Sequence, residues 1–274
     1  MCGYCDFTNK AESSPFDESD INSLANDVWN GAVTKYSLPT SIYAKTAKHL
    51  LSGVNKGFGK DIISVEWGSP DYEMLADLTE NIYVFSGAKT YQQVRSLTDL
   101  LKDSELKQNF YKFKDKATTI LKDYNEAYLQ AEYNTAISSS RMAGEWMRIQ
   151  DTKDVLPLLE YDTVGDGRVR PEHAILDKIV RPVDDKFWLT LYPPNGWNCR
   201  CKVNQLAEGD ITDLRGKSNL YENVPKEFRM NSGVDRVVFK EKGKDKHPYF
   251  DVAKGDKAYA KRNFDLPIPK IKRK

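Results

Sequence analysis

Apolar residues recur at helical spacing along the first half of the chain and lose that period in the second. Ile21, Leu24, Ala25, Val28 and Trp29 share one helix face, and Ser19 and Asp20 are candidate caps for it. Pro39 has no amide hydrogen to give the helical ladder, so it is expected to end or kink that helix, with a second running on to Leu51. Residues 53–60 hold three glycines and read as a loop. Met74, Leu75, Leu78, Ile82 and Phe85 place a helix over residues 71–85. The longest signal runs over residues 96–149, where Phe110, Phe113, Ala117, Ile120, Leu121, Tyr124, Tyr128 and Ala131 form one stripe. A break is expected at Ser138-Ser139-Ser140, because serine hydroxyls compete for backbone hydrogen bonds. Together these helices predict an antiparallel bundle, with residues 104–150 mainly helical.

Past Asp151 the helical period stops, and prolines, glycines and aromatics become frequent. Leu158 to Thr163 reads as a strand, with Val164-Gly165-Asp166-Gly167 as its turn. Residues 185–192 contain another short strand, Pro193-Pro194-Asn195-Gly196 is a strong turn, and Val237-Val238-Phe239 is one more strand candidate. The expected class is therefore α+β: a long helical N-terminal part followed by a small mixed α/β C-terminal domain with short strands. The divisions are a polar leader over residues 1–22, a helical domain over 23–150, a compact domain over 151–207 and a basic C-terminal extension over 208–274.

Composition narrows the function classes. With 274 residues, 40% hydrophobic and 30% charged, the chain can bury a sizeable core. A net charge of +1 argues against a general DNA-coating protein, which needs an excess of Lys and Arg to neutralise phosphate. No apolar run approaches the ~20 residues that span a bilayer, so no membrane contact is expected. Met1-Cys-Gly-Tyr-Cys5 opens no signal peptide, which points to a reducing cytoplasm and to cysteines as thiols or metal ligands.

Chemistry-bearing residues crowd into residues 161–203. His173 with Arg170 and Asp166 could serve a small hydrolase or transferase acting on nucleic acid or nucleotide, His173 as general base and Arg170 on phosphate. The alternative is that His173 is hydrogen-bonded and partly buried and fixes a turn; the absence of a plausible nucleophile partner favours that reading. Asp162 to Asp166 begins like a calcium loop, but Val164 and His173 occupy positions that need oxygen ligands. Gly216-Lys217-Ser218 lacks the earlier glycine of a phosphate loop, Ile211 standing there. The cysteines are more specific. Cys2-Gly-Tyr-Cys5 and Cys199-Arg-Cys201 can together make a four-thiolate zinc site, with His173 as substitute ligand should the N-terminus lie elsewhere. Four unrelated thiols are the plainer alternative. Lys240 to Lys274 mixes lysines with Tyr249, Phe250, Tyr259 and Phe264, a combination that can track DNA but also suits an arm docked on a partner.

Three stretches carry a family resemblance: Tyr161-Asp-Thr-Val-Gly-Asp-Gly-Arg-Val-Arg-Pro-Glu-His173, Asp184-Asp-Lys-Phe-Trp188 and Pro193-Pro-Asn-Gly-Trp-Asn-Cys-Arg-Cys201. They resemble the phage Mu protein F-like family of head morphogenesis proteins, which takes in the SPP1 minor head protein. Arg141 and Trp146 in the preceding helix fit the same layout, and the likeness covers roughly residues 115–206. The resemblance implies a low-copy, non-enzymatic protein of the phage head, built in the bacterial host cytoplasm and present in the virion. Its implied partners are the portal and other head proteins, with a role in head assembly or in DNA packaging or ejection, and no small-molecule substrate. It assigns no catalytic role to His173, Arg170 or the cysteines. The stretch beyond the motif shows no catalytic constellation, so no appended toxin domain is expected.

Overall fold

The computed structural model describes residues 13–216 and 218–273. Helix α1 (Glu18–Trp29) is started by Asp17: its carboxylate accepts the Asp20 amide at 3.0 Å while the Asp20 carboxylate accepts the Asp17 amide at 3.1 Å. The helix ends at Asn30, well before Pro39, which instead occupies the capping position of α2 (Thr40–Phe58). Helix α2 continues through Gly53 and Gly57, so the expected loop begins only at Gly59, in the left-handed region at φ +81°. The two buried-side glycines serve close packing. A Cβ on Gly53 would stand 3.1 Å from the Tyr133 carbonyl oxygen, and one on Gly57 would overlap that of Ile137.

Ser69 caps α3 (Pro70–Leu100), with Pro70 at the first turn. Asp103 caps α4 (Ser104–Gln108) and Asn109 caps α5 (Phe110–Lys122). A π-helical turn, Asp123–Tyr128, then leads into α6 (Leu129–Thr152). The break expected at Ser138–Ser140 is absent. Ser138 Oγ donates back to the Asn134 carbonyl at 3.0 Å, inside the helix, and Ser139 and Ser140 are buried. The helical run is interrupted instead at residues 101–109, where Asp103 and Asn109 supply side-chain caps.

Helix α2 packs along α3 and α6 around Leu50, Val54, Leu75, Leu78, Phe85 and Leu129. Helices α1 and α5 join α3 around Leu24, Val28, Leu97, Phe113 and Leu121. At the π-helical turn a polar cluster is buried between α3 and α6. Lys89 Nζ donates to Glu132 Oε2 and to the Tyr124 carbonyl, each at 2.6 Å, and the Tyr249 hydroxyl donates to Glu132 Oε1 at 2.9 Å. Burial lowers the Lys89 pKa and raises that of Glu132, each against the other's attraction.

A three-stranded antiparallel sheet follows, with β1 (Leu158–Asp162) between β2 (Val180–Pro182) and β3 (Lys202–Leu206). Leu159 faces Arg181 on one side and Gln205 on the other. The connections carry single helical turns, α7 (Pro171–Ala174) and α8 (Trp188–Leu191). The latter replaces the strand expected over residues 185–192: the Asp185 carboxylate accepts the Phe187 amide at 2.8 Å and starts the turn. The sheet's core, Tyr161, Val183, Phe187, Trp188 and Tyr192, also takes in Met142, Trp146 and Ile149 of α6. The architecture is α+β, as read from the hydrophobic pattern.

Beyond the sheet the chain returns to the helices through α9 (Ser232–Asp235), which packs on α6. Val238 and Phe239 form no strand. Asn81 takes the place of a neighbouring strand, accepting both their amides at 2.9 Å and donating to the Phe239 carbonyl at 2.9 Å. Phe239 stacks on Phe85 at 3.7 Å. Further along, α10 (Lys257–Lys261) leads to Phe264, which stacks on Tyr91 at 4.7 Å. Buried Asp256 accepts from Lys35 at 2.9 Å and from the Tyr36 hydroxyl at 2.8 Å. The aromatics expected on a basic arm, Tyr249, Phe250, Tyr259 and Phe264, are thus packed against the helices. Among the described residues no helix is long and apolar enough to cross a membrane.

Candidate metal centre

Of the residues singled out in the sequence, three meet. His173 projects from α7, and Cys199 and Cys201 lie on the extended approach to β3. His173 Nδ1 stands 3.7 Å from Cys199 Sγ and 3.6 Å from Cys201 Sγ. All three ligand atoms lie within 4.8 Å of one another, and all three residues are buried. Cys2 and Cys5, the other half of the expected four-cysteine site, lie outside the described residues.

Local sequence explains the convergence. Pro171, at the first position of α7, needs no amide partner there, and the His173 amide donates to the Arg170 carbonyl at 2.9 Å. On the other side, Asn198 adopts φ +56°, which asparagine tolerates better than most residues, and so bends the chain between Trp197 and Cys199. Gly196 leaves room that a side chain would fill: a Cβ there would stand 2.8 Å from Arg170 Nη2 and 3.5 Å from His173 Nε2. Helix α6 braces the loop, with Asn134 donating to Asn198 Oδ1 at 2.8 Å and Ser138 donating to the Cys199 carbonyl at 3.3 Å.

Asn195, fully buried, organises the back of the centre. Its carbonyl lies 3.2 Å from His173 Nε2, and its side-chain oxygen accepts the Tyr161 hydroxyl at 2.8 Å. Because a carbonyl only accepts, Nε2 carries the proton and Nδ1 turns a lone pair toward the sulfurs. The Cys199 thiol is pushed well below its usual pKa, chiefly by the hydrogen bond from Cys201. Cys201 is pushed up by that same bond to Cys199 and by burial.

Arg170 lines the same cavity as His173 but is bonded to backbone, and Asp166 turns away to Arg200. Arg170 Nη1 donates to the Trp197 carbonyl at 2.9 Å. Asp166 makes a two-pronged ion pair with Arg200 at 2.7 and 2.8 Å, which holds its carboxyl well below the usual carboxylate range. A cavity of about 40 Å³ opens onto the sulfurs between Val164, Arg168, Arg170 and Arg200. The sequence reading missed Asn195, Tyr161 and Arg200 as members of this site. Their only signal was position, inside the Pro-Pro-Asn-Gly turn, on the strand before it and between the two cysteines.

Comparison with known proteins reaches the same stretch. Residues 86–204 match the family model described as Phage Mu protein F like protein, a span that runs from α3 through the sheet and contains His173, Cys199 and Cys201. The resemblance read from the sequence is therefore met, and it begins earlier than the motifs alone indicated. Capsid assembly protein F of Escherichia phage Mu is 45% identical over 82 residues, covering 30% of this chain and 19% of the relative. The Mu-like prophage FluMu F protein of Haemophilus influenzae is 38% identical over 66 residues, covering 24% of this chain and 16% of the relative. The matched segment thus spans less than a fifth of either relative's length. No solved structure matches.

Proposed function

We propose that this chain is an assembly component of a tailed-phage head, acting through surfaces and not through turnover. The observation that carries this reading is the Mu F-like match over residues 86–204, with a relative named for capsid assembly aligned to it. The geometry of the motif supports it. His173 is buried and bonded to backbone, Arg170 is bonded to the Trp197 carbonyl, and Asp166 is paired with Arg200. A cavity of about 40 Å³ holds a few waters, well short of the roughly 300 Å³ of small-molecule sites. That combination disfavours a hydrolase or transferase built on His173, Arg170 and Asp166.

In the finer form of the proposal the protein sits in the virion at low copy, meets the portal, and serves assembly or the packaging or ejection of DNA. Contact with DNA would run through the exposed lysines Lys242, Lys244, Lys254, Lys257 and Lys261 as phosphate contacts, since Tyr259 and Phe264 are buried and cannot stack on bases. The test is mass spectrometry of purified particles of the encoding phage, with capture of the portal by tagged protein. Low-copy presence in heads, and a fall in head yield or protein stability in a His173→Ala variant, are expected. A nucleotide or nucleic-acid turnover that His173→Ala abolishes with folding intact would overturn the reading in favour of the hydrolase.

A further inference from the structure

We propose that His173 Nδ1, Cys199 Sγ and Cys201 Sγ bind one zinc ion, with the fourth coordination position facing the cavity beside Arg168 and Arg170. The nitrogen–sulfur spacings fit such a site. With Zn–S near 2.3 Å and Zn–N near 2.0–2.1 Å at tetrahedral angles, a nitrogen and a sulfur sharing the ion stand about 3.6 Å apart. The two observed separations are 3.7 and 3.6 Å.

Proton counting points the same way. The Asn195 carbonyl holds the Nε2 proton, so Nδ1 has one lone pair to offer two sulfurs. It accepts one thiol proton and leaves the second thiol only the other sulfur, a weak acceptor, whereas a cation at the centre takes all three atoms as ligands. A carbonyl fixing the tautomer of a ligating imidazole is the usual support behind such a ligand. Two thiolates and a divalent ion are neutral in sum, which suits a buried place, and sulfur with imidazole selects zinc over magnesium or calcium. The loop is also formed in advance: Ser138 and Asn134 of α6 hold it from outside, and Gly196 leaves the room in which His173 and Arg170 lie. A disulfide between Cys199 and Cys201 would close a very short, strained ring and leave Nδ1 without a partner. The ion would tie the turn at α7 to the start of β3 and thereby clamp the outer edge of the sheet domain to α6.

The experiment uses the full chain, purified under reducing conditions and assayed for metal by elemental analysis. About one zinc per chain is expected in the parent and in a Cys2→Ser, Cys5→Ser double variant. Cys199→Ser, Cys201→Ser and His173→Gln, each verified as folded by circular dichroism, should fall severalfold in zinc content. Cobalt substituted for zinc in the parent should show thiolate-to-metal charge-transfer absorption of the strength given by two sulfurs, halved in either single serine variant. This second readout holds even where one variant folds poorly. Reduced, folded parent that neither carries zinc nor takes it up from added zinc chloride overturns the proposal. So does zinc that survives loss of both Cys199 and Cys201, or zinc that disappears with Cys2 and Cys5 alone.

Discussion

Two buried polar clusters in this chain solve the same problem in opposite ways. In the helical body, Lys89, Glu132, Tyr249 and the Tyr124 carbonyl close on one another: a cation, an anion, a hydroxyl and a backbone oxygen, with hydrogen bonds of 2.6–2.9 Å. In the sheet domain, His173, Cys199 and Cys201 turn lone pairs inward on a shared point. The first cluster pairs its two opposite charges within the chain. The second gathers two thiols and one imidazole lone pair with only weak sulfur hydrogen bonds among them, a set that suits a ligand. Burial alone therefore does not mark a functional site; what distinguishes the two is whether strong donors and acceptors pair within the polypeptide.

The sharpest way to break this comparison is to unbalance the closed cluster. Lys89→Met should leave the Glu132 carboxylate and the Tyr124 carbonyl buried without their partner, at a cost of about 3–5 kcal/mol in urea-induced unfolding. Adding Glu132→Leu should return much of that loss, since a well-packed apolar pair can replace a buried ion pair. A double variant as unstable as the single would mean that the cluster's shape, not its charge balance, matters.

A pH series separates the clusters next. His247 packs edge-on to Phe85 and Tyr249, and its Nδ1 accepts the Tyr249 amide at 3.1 Å. Burial, with the nearby Lys89 charge adding to it, pushes its pKa down to about 3. The unfolded chain then binds the extra proton first, so the contribution is complete above the unfolded value near 6.5 and is lost as pH falls toward 3. The loss should approach about 1.4 kcal/mol per pH unit. Comparing parent with His247→Gln between about pH 6.5 and 4.5 avoids Asp256, whose pKa of about 2 places its own window below the unfolded aspartate value. Parallel pH profiles for the two proteins would remove His247 as the cause.

Smaller effects are expected in the sheet domain. Gly196→Ala must displace the Arg170 tip, which is tied to the Trp197 carbonyl, and should cost about 1 kcal/mol in thermal unfolding. Asp166→Asn breaks an ion pair at the surface and should leave unfolding nearly unchanged, because water takes over both partners. A large loss there would place Arg200 inside the working centre.

Much of this was legible in the chain. The stripe through Phe113, Ala117 and Leu121 and the register of Leu75, Leu78, Ile82 and Phe85 are buried as their spacing implies, because amphipathic period reports which face must leave water. Gly53 and Gly57 misled because a glycine inside a helix and a glycine in a loop look alike; only the facing Tyr133 and Ile137 backbone distinguishes them. Ser138–Ser140 stayed helical through a back-bond to Asn134, while Asp103 and Asn109 broke the run as caps. Strands β2 and β3 escaped notice since they are short and mix Arg, Lys, Asn and Gln into positions that the sheet half covers. Within the site, the residue types at 173, 199 and 201 announced sulfur–imidazole chemistry, but their meeting depends on a bend at Asn198 and on a buried carbonyl at Asn195 that composition does not reveal.

The return of residues 238–266 to the helices has a consequence for the order in which the molecule can mature. Phe85, Tyr91 and Asn81 lie in α3, yet they find Phe239, Phe264 and the 238–239 backbone only after residues 238–264 have been made. While the ribosome is still at work, the first three helices have an unsealed aromatic seam, exposed to chaperones and to other nascent copies. Folding of the helical body is in this sense deferred until residues 238–266 have emerged, and contacts of such sequence separation are slow to form.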